Sequence, residues 1–501
     1  MALPCLAVGT KTFATLENHN GLLIRRTASK MNSEIIDPKL VYSDHSPSRS
    51  RLDKLATFVV GTKYEDLSET AIDQAKIRIL DALACAIGAL DGEPIKMIRA
   101  QIEEFGGEGL CTLIGGGRTA PDRAALYNSA LVRYLDFNDS YLAKGETCHP
   151  SDNLGAVLAA CEYADRSGKD LLTALAVAYQ VLCRLSDVAP VRAKGFDHTT
   201  LGSFAVASGV AKALGLDEDK TANAIAISGT AFNALRVTRT GTLSNWKGLA
   251  YPNTAFGALH ATFLAMRGIT GPREVFEGNK GFMDAISGHF ELDWSKEDLE
   301  RITQTIVKKY NAEIHSQSTI EGVLELKQEY GFTGADIQRI DIEIFDVAYN
   351  IIGGGEEGEK ITIYTKEEAD HSLPYIVAVA ILDNQVMPAQ YVPERIVRQD
   401  VQILLHKVLV RPVDEFSRRF PTEMPSRIRI TLNDGQILTR EKRDYEGFLT
   451  LPMGWNAITK KFMQLTQARI SPQLQREIEE AVANLENIQV RELMSLLGKI
   501  K

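Results

Sequence analysis

The feature that most constrains this fold is a long series of Ala/Leu-rich runs whose apolar residues recur at helical spacing. The series extends over residues 53–268 of the 501-residue chain, and Gly, Asn or Asp separates the runs. One run covers residues 66–90, and another, residues 204–214, ends at Gly215, which we expect to cap a helix. Because Ala and Gly permit close helix–helix approach, the pattern predicts a large all-helical domain.

A second pattern, with alternating apolar and polar positions, begins near residue 335. Alternating isoleucines over residues 337–345 are typical of a half-buried strand. Residues 427–432 alternate again, and Asn433-Asp434-Gly435 then predicts a hairpin turn into another strand. Helical patterns over residues 370–382 and 395–408 lie between these strands.

The two patterns together predict an α with α+β fold, in which a smaller α/β lid domain accompanies the all-helical domain. A chain of 501 residues exceeds one typical core, so more than one domain is expected. We place an N-terminal extension at residues 1–50, the helical domain at 51–303 and the lid domain at 304–447. Residues 448–501 are expected to form helices that return to the helical domain.

The N-terminal extension is basic. Residues 1–31 carry Lys11, Arg25, Arg26 and Lys30 against one acid, Glu17, with several Ser and Thr residues. This composition resembles a mitochondrial presequence and predicts the mitochondrial matrix as the location. The alternative is a disordered tail on a cytoplasmic protein.

Composition argues against several classes of partner. The formal net charge of -9 disfavours non-specific binding to nucleic acid or to an anionic membrane, because both need a concentrated basic face. The longest apolar stretches, such as residues 171–182, are shorter than the ~20 residues of a membrane-spanning helix. The six cysteines form no Cys-x-x-Cys pair, which is typical of a reduced intracellular protein without an iron–sulfur cluster.

Four polar clusters interrupt the apolar background. In the first two, residues 134–140 and 149–153, Ser151 or Asp152 is expected to cap a helix over residues 154–164. His149 would then lie beside a helix N-terminus, where anions bind and an imidazole can transfer a proton near neutral pH. The alternative is a set of caps and turn residues with one ordinary loop histidine.

The other two clusters supply cations. Residues 236–247 combine Arg236, Arg239 and Lys247 with Thr, Gly and Ser, a composition that suits carboxylate binding. Residues 308–317 place lysines, a glutamate and a histidine at the entry to the second domain. The alternatives are a solvated loop and a charged helix start.

Taken together, the clusters contain the groups that elimination of water from a hydroxy acid requires. The reaction needs a base for the hydrogen α to a carboxylate, an acid for the departing hydroxyl, and cations beside the enolate-like charge. No metal-ligand spacing such as His-x-x-x-His occurs. We therefore expect acid–base chemistry from side chains, without a metal.

Two motifs resemble those of a known family. Residues 135–140 (Leu-Asp-Phe-Asn-Asp-Ser) and 149–155 (His-Pro-Ser-Asp-Asn-Leu-Gly) are similar to the signature of the MmgE/PrpD family, and within it to the 2-methylcitrate dehydratases. Further blocks follow in the family's order, so the resemblance covers roughly residues 53–460. It implies an active site between helical domain and lid, a homodimer, and neither metal nor organic cofactor.

The resemblance also implies roles for individual residues. Asp136 and His149 are similar to the family's catalytic-site aspartate and histidine, and Lys247 and Lys308 match its substrate-carboxylate lysines. We predict that His315 or His371 assists the acid–base pair. The remaining substrate-binding candidates are Asn138, Ser140, His198 and Arg239.

The resulting hypothesis is a hydro-lyase that converts 2-methylcitrate, or a related tricarboxylate such as citrate, to the corresponding cis-aconitate. Within the family, the alternatives are decarboxylation of cis-aconitate and an isomerase or epimerase that uses the same α-proton abstraction. A non-catalytic helical interaction protein is the alternative from another class, and the clustering of polar residues argues against it. Leu243-Ser244-Asn245 and Tyr310-Asn311 depart from the pattern of the methylcitrate enzymes, which leaves the exact di- or tricarboxylate open.

Overall fold

Buried side chains form two hydrophobic cores. A computed structural model describes residues 49–501; residues 1–48, and with them the predicted targeting segment, lie outside the described residues. The first core draws on residues 52–302 and again on residues 453–500, with Val307 between them. The second core lies between residues 306 and 448. The chain thus builds a second core before it returns to the first.

Helices build the first core, and local capping explains where several of them begin. Ser50, Ser68, Ser167 and Asp217 each accept a hydrogen bond from a backbone amide in the first turn of the helix that follows. Gly215 ends one helix in the left-handed conformation, with φ 70°, as the sequence predicted. The helices are α1 (Arg51–Gly61), α2 (Glu69–Gly88), α3 (Glu93–Phe105), α4 (Pro121–Tyr134), α5 (Leu154–Tyr163), α6 (Gly168–Val188), α7 (Thr199–Leu214), α8 (Glu218–Ala231) and α9 (Trp246–Met266).

Two short hairpins interrupt these helices. The strands are β1 (Cys111–Thr112), β2 (Arg118–Thr119), β3 (Tyr141–Ala143) and β4 (Glu146–Cys148), paired as β1 with β2 and β3 with β4. The second hairpin matters for function, because it joins the first two polar clusters of the sequence.

Close contact between α4 and α5 fixes the position of those clusters. A Cβ added at Gly155 would lie 2.4 Å from the backbone nitrogen of Ser129 on α4, well inside van der Waals contact. Only glycine therefore allows α5 to approach α4 this closely. The motif before Gly155 and the residues that follow α4 are consequently held side by side.

The second core surrounds a four-stranded mixed sheet with the order β6-β5-β7-β8. Strands β7 and β8 form the hairpin that Asn433-Asp434-Gly435 predicted. The strands are β5 (Ile337–Ile344), β6 (Val408–Pro412), β7 (Ser426–Leu432) and β8 (Ile437–Lys442). The helices of this part that are longer than one turn are α10 (Gln317–Tyr330), α11 (Leu373–Asp383), α12 (Gln399–Leu405) and α13 (Asp414–Arg419).

The predicted helix over residues 395–408 is wrong at its C-terminal end. The helical conformation ends at Leu405, and the chain then forms β6, which pairs in parallel with β5 through Ile340 and Val408. Strand β6 lies at the edge of the sheet and is mostly exposed. Its residues therefore lack the buried alternation that identifies a strand from sequence.

The C-terminal helices α14 (Trp455–Thr466), α15 (Pro472–Ala483) and α16 (Val490–Leu497) pack with the first core. Buried Lys461 on α14 forms an ion pair of 2.6 Å with Asp81 on α2. The same ammonium group donates to the backbone oxygens of Phe137 and Lys308. Because Lys461 binds both segments, α14 fixes two of the polar clusters to one another.

One described helix, α6, is long and apolar enough to cross a membrane, but 83% of its most apolar window is buried within the structure. Its contacts with α7 are those of a core helix in the helical part. The five described cysteines are buried free thiols: Cys85, Cys111, Cys148, Cys161 and Cys183.

Candidate active site

A charged cavity lies where the helical part meets the α/β part. Side chains from both parts line it, as expected for a site between them. Among the predicted site residues, those that line the cavity are Asp136, His149, His198, Arg239, Lys308, His315 and His371. Asn138, Ser140 and Lys247 are buried directly behind its wall, in contact with other residues of the site.

Asp136 lies at the end of α4, in the left-handed backbone conformation with φ 54°. This conformation is uncommon outside glycine, and such positions concentrate at functional sites. Three cations surround the carboxylate: Arg133 Nη1 at 2.6 Å, Lys308 Nζ at 2.7 Å and Lys247 Nζ at 3.2 Å. Burial would raise the pKa of Asp136, but these cations hold it well below its usual value. Asp136 is therefore ionised at neutral pH.

Lys247 connects Asp136 to a second acid–histidine pair. Its Nζ lies 2.8 Å from Asp370 Oδ1 and 2.9 Å from His371 Nδ1. Asp370 Oδ1 is the closer partner of His371 Nδ1, at 2.7 Å, and a carboxylate only accepts, so we assign the proton to Nδ1 and leave Nε2 as the acceptor, 3.9 Å from Asp136 Oδ2. The Lys247 ammonium then donates to the two carboxylates and not to the ring. Burial and the charge of Lys247 lower the pKa of His371, so the ring is neutral.

His149, which also lines the cavity, is oriented through its Nδ1 in the same way. Its Nδ1 lies 2.9 Å from the backbone oxygen of Asp139 and 3.1 Å from Ser140 Oγ. Because a carbonyl oxygen only accepts, Nδ1 carries the proton and Nε2 is the free base. Burial, followed by the charges of Arg133 and Lys308, lowers the pKa of His149 well below its usual value.

Two further histidines are oriented in this way. His198 Nδ1 lies 3.3 Å from Asp197 Oδ1, and His315 Nδ1 lies 2.7 Å from Glu313 Oε1. Within residues 49–501, the buried Nε2 atoms of both rings have no hydrogen-bond partner. Burial lowers the pKa of His198 to about 3. The His149 and His198 rings meet edge to face with centroids 5.5 Å apart, which places them on one wall of the site.

The loop that precedes α5 is held by buried polar contacts. The prediction that Ser151 or Asp152 caps this helix is wrong, because a 3-10 turn, Pro150–Asn153, comes first and Asn153 occupies the cap position without a side-chain bond. Asn138 Nδ2 instead donates to Ser151 Oγ and Asp152 Oδ1, both at 2.8 Å. Burial raises the pKa of Asp152 to about 7 despite neighbouring Arg133. Asn138 therefore supports the loop that carries His149.

Several residues of the site were not predicted from the sequence. Arg133 contacts Asp136 from the preceding turn, and its position in an apolar helix is the signal that could have identified it. Asp370, Glu146 and Glu357 were also missed. Glu146 begins β4 and Glu357 lies in a loop, and neither local sequence indicates that the side chain faces the cavity, because only the tertiary fold brings it there.

Asp136, Asp370 and His371 have the chemistry of a metal-binding group, since their ligand atoms lie within 4.8 Å of one another. Lys247 Nζ, however, lies within 3.2 Å of a ligand atom of each. The ammonium group thus takes the place that a metal ion would need, and a metal would have to displace it. The fit favours a lysine-centred cluster over a metal site.

A charged cavity between a helical part and a small mixed sheet, with oriented neutral histidines and buried cations, defines an acid–base enzyme for an anionic substrate. The chain belongs to the MmgE/PrpD family: the MmgE/PrpD N-terminal domain matches residues 53–295, and the MmgE/PrpD C-terminal domain matches residues 310–487.

Its relatives include enzymes with stated substrates. A 2-methylcitrate dehydratase of Salmonella typhi is 29% identical over 68% of this chain and 73% of its own length. The mitochondrial 2-methylcitrate dehydratase of Yarrowia lipolytica is 26% identical, with 76% of this chain and 77% of its own covered. Alkylcitrate dehydratase phiI of a fungal species is 26% identical over 86% of this chain and 91% of its own.

Proposed function

We propose that the protein is a hydro-lyase that eliminates water from 2-methylcitrate to give cis-2-methylaconitate. The observation that carries the proposal is the arrangement of two neutral histidines, His149 and His371, each with a free Nε2, around buried cations in one cavity. A neutral imidazole can accept an α-proton, and fixed cations stabilise the enolate-like charge that follows. The related dehydratases agree with this chemistry.

The proposed reaction transfers two protons. His149 Nε2 takes the hydrogen α to a carboxylate, the carbon–oxygen bond to the neighbouring hydroxyl breaks, and the electron pair of the C–H bond forms the double bond. Lys308 gives the departing hydroxyl a proton, so that water leaves. Two of its N–H groups bind Asp136, at 2.6 and 2.7 Å, which leaves the third for the substrate. Burial lowers the pKa of Lys308, which makes it a better acid.

The other site residues are assigned supporting roles. Asp370 orients His371 as a second base or proton relay, while Lys247 and Arg239 bind carboxylates together with Lys308. His198 and His315 are proposed to contact the substrate through Nε2. Asn138 and Ser140 hold the loop and ring of His149.

Ile351 supports an alkyl-substituted substrate. Among the described residues that line the cavity, it is the only one with an aliphatic hydrocarbon side chain. Contact between Ile351 and a methyl group on the substrate would remove apolar surface from water and so favour binding. Citrate has no methyl group at this position. This favours 2-methylcitrate over citrate.

We also propose a homodimer. Leu235, Val237 and Trp246 are exposed apolar side chains, 60%, 70% and 49% accessible, next to the buried cations of the same segment. A second copy that covers this surface would remove the apolar area from water and fix the conformation of the segment over residues 235–246. Light scattering on wild type and Val237→Asp tests this: a dimer that dissociates in the variant supports it, and a monomeric wild type contradicts it.

The predicted location remains a proposal. Residues 1–31 are proposed to direct import into mitochondria, and one relative is named mitochondrial. A fluorescent fusion of the full chain, compared with one that lacks residues 1–48, distinguishes the mitochondrial matrix from the cytoplasm.

The activity test follows ultraviolet absorbance of the new conjugated double bond, with 2-methylcitrate, citrate and cis-aconitate supplied separately. Carbon dioxide is measured in parallel. Absorbance from 2-methylcitrate without carbon dioxide, lost in His149→Ala, supports the dehydratase. Carbon dioxide from cis-aconitate would instead indicate a decarboxylase, and no reaction with any of the three would contradict the proposal.

A further inference from the structure

Two arginines of the helical part converge on one carboxylate of the α/β part. Nη2 of Arg192 lies 2.9 Å from Glu357 Oε1, and Nη2 of Arg236 lies 2.5 Å from the same oxygen. All three side chains line the cavity, and Glu357 is 6% exposed. The two guanidinium groups hold the pKa of Glu357 below its usual value, against the effect of burial. A buried anion is therefore bound at this end of the cavity even without substrate.

The contact with Glu357 uses little of the hydrogen-bonding capacity of the two arginines. Within residues 49–501, Glu357 Oε2 accepts no hydrogen bond, and each guanidinium group meets the carboxylate through Nη2 alone. Elsewhere in the chain, Arg395 binds both oxygens of Asp383 in the bidentate form that is strongest for this pair. Glu357 therefore uses only one N–H group of each arginine, and a substrate carboxylate that replaces it could use more of them.

Glu357 is carried by a segment that can adopt other conformations. The sequence Gly353-Gly354-Gly355-Glu356-Glu357-Gly358 has two residues at positive φ, Gly354 at 103° and Gly358 at 97°. Glycine loses the most conformational freedom on ordering and tolerates the widest range of backbone angles. The side chain of Glu357 can therefore leave the arginines without a change in the sheet or helices.

We propose that Arg192 and Arg236 form a carboxylate-binding subsite, and that Glu357 occupies it until a substrate carboxylate replaces it. The inference rests on the proposed function, from which it takes the tricarboxylate substrate. The reacting carbons of 2-methylcitrate each carry a carboxylate, and these belong beside Lys308 and Lys247. The subsite binds the third carboxylate, on the carboxymethyl arm that does not react.

The position of the subsite agrees with a substrate whose carboxymethyl arm lies there while its reacting carbons lie near His149. Arg236 Nη1 lies 3.7 Å from Asp197 Oδ2, and Asp197 in turn contacts His198 on the wall shared with His149. The cavity has a volume of only about 40 Å³ with Glu357 in place. A tricarboxylate needs more space, and removal of the Glu357 side chain supplies both space and two cations.

Binding of stable substrate analogues tests the subsite without requiring turnover. Tricarballylate has three carboxylates, and methylsuccinate has a methyl group where tricarballylate has one carboxymethyl arm. By calorimetry on the full chain, Arg236→Gln is expected to weaken tricarballylate binding about tenfold to a hundredfold, the usual loss of a charge-assisted hydrogen bond. Methylsuccinate binding should change less than about threefold, because it lacks the group that the arginine binds. Arg192→Gln is expected to change the two affinities in the same way.

Glu357→Gln supplies the opposite change. Without the resident negative charge, tricarballylate should bind more tightly than in wild type, whereas methylsuccinate should be unaffected. Arg411→Gln is the matched control, since Arg411 is exposed, pairs with Glu343 on the sheet and does not line the cavity. It should leave both affinities unchanged.

Three outcomes would overturn the subsite: equal losses for both ligands in Arg236→Gln, no loss for either, or no tricarballylate binding by wild type. Failure of the proposed function is separate. If tricarballylate binds as described while 2-methylcitrate is not dehydrated, the subsite stands and the reaction assignment fails.

Discussion

Lys308 and Asp136 form a buried ion pair of 2.7 Å that joins the α/β part to the end of α4. The lysine is fully buried, and a second bond of 2.6 Å ties its ammonium group to the backbone oxygen of Asp136. Without Lys308, Asp136 would still contact Arg133 and Lys247. Lys308 has no other carboxylate partner among the described residues, so loss of Asp136 leaves a buried charge unpaired.

Asp136→Asn is therefore expected to destabilise the fold by about 3 kcal/mol, the usual loss when a buried charge is left without its partner. Thermal unfolding measures the change. The double variant Asp136→Asn/Lys308→Met should lose less than the sum of the two single variants, since neither group then remains unpaired. Additive losses would show that the two residues are not coupled.

Asp370→Asn should reduce kcat through His371. The amide cannot hold the Nδ1–H tautomer as the carboxylate does at 2.7 Å, so Nε2 is no longer fixed as the acceptor. We expect a fall in kcat of about 10²- to 10⁴-fold, the range of general acid–base catalysis. His371→Ala should lower kcat by a similar factor, and the double variant should lower kcat no further than either single variant. A kcat for Asp370→Asn within twofold of wild type would contradict the assigned role.

Glu146 is expected to make stability fall as the pH rises. Burial raises its pKa to about 7 from its usual value of 4.5, so the folded state favours the protonated form. Its stabilising contribution is present below about pH 4.5 and is lost as the pH rises towards 7. Urea unfolding of Glu146→Gln between pH 5 and 8 should show a smaller decline than wild type. If the free energy of unfolding of Glu146→Gln depends on pH as strongly as that of wild type, the Glu146 carboxyl is not the cause of the decline.

Ile351→Ala should weaken the preference for the methyl group. Loss of the hydrocarbon contact is expected to lower the ratio of kcat/KM for 2-methylcitrate over citrate by about tenfold, within the range for one methylene group in a pocket. Thr147→Ser, at another lining position, removes a single methyl and should change the ratio less. A ratio that stays constant in Ile351→Ala would place the substrate methyl elsewhere.

Chelation should leave activity intact, because Lys247 supplies the cation between Asp136, Asp370 and His371. Wild type dialysed against a strong chelator is expected to keep its kcat, measured beside an undialysed sample. Loss of activity that returns with a divalent metal would contradict the lysine-centred site.

Much of the site could be predicted because its motifs are local. Residues 135–140 and 149–155 lie on either side of one short hairpin, so their nearness in space follows from their nearness in sequence. The neutral state of His149 could not be predicted, since it depends on burial and on Arg133 and Lys308. A pKa is set by all surrounding charges, and most of these come from distant parts of the chain.

The sequence by itself determined most of the helices, the cap at Gly215, the β7–β8 hairpin and the chemical groups available for catalysis. Those features depend on periodicity and on interactions within a few residues, as at Gly215. The tertiary structure decided which groups meet: Lys247 with Asp370, Arg236 with Glu357, and β6 with β5. These contacts join segments at least 60 residues apart, and packing of the two cores, rather than any local pattern, brings them together.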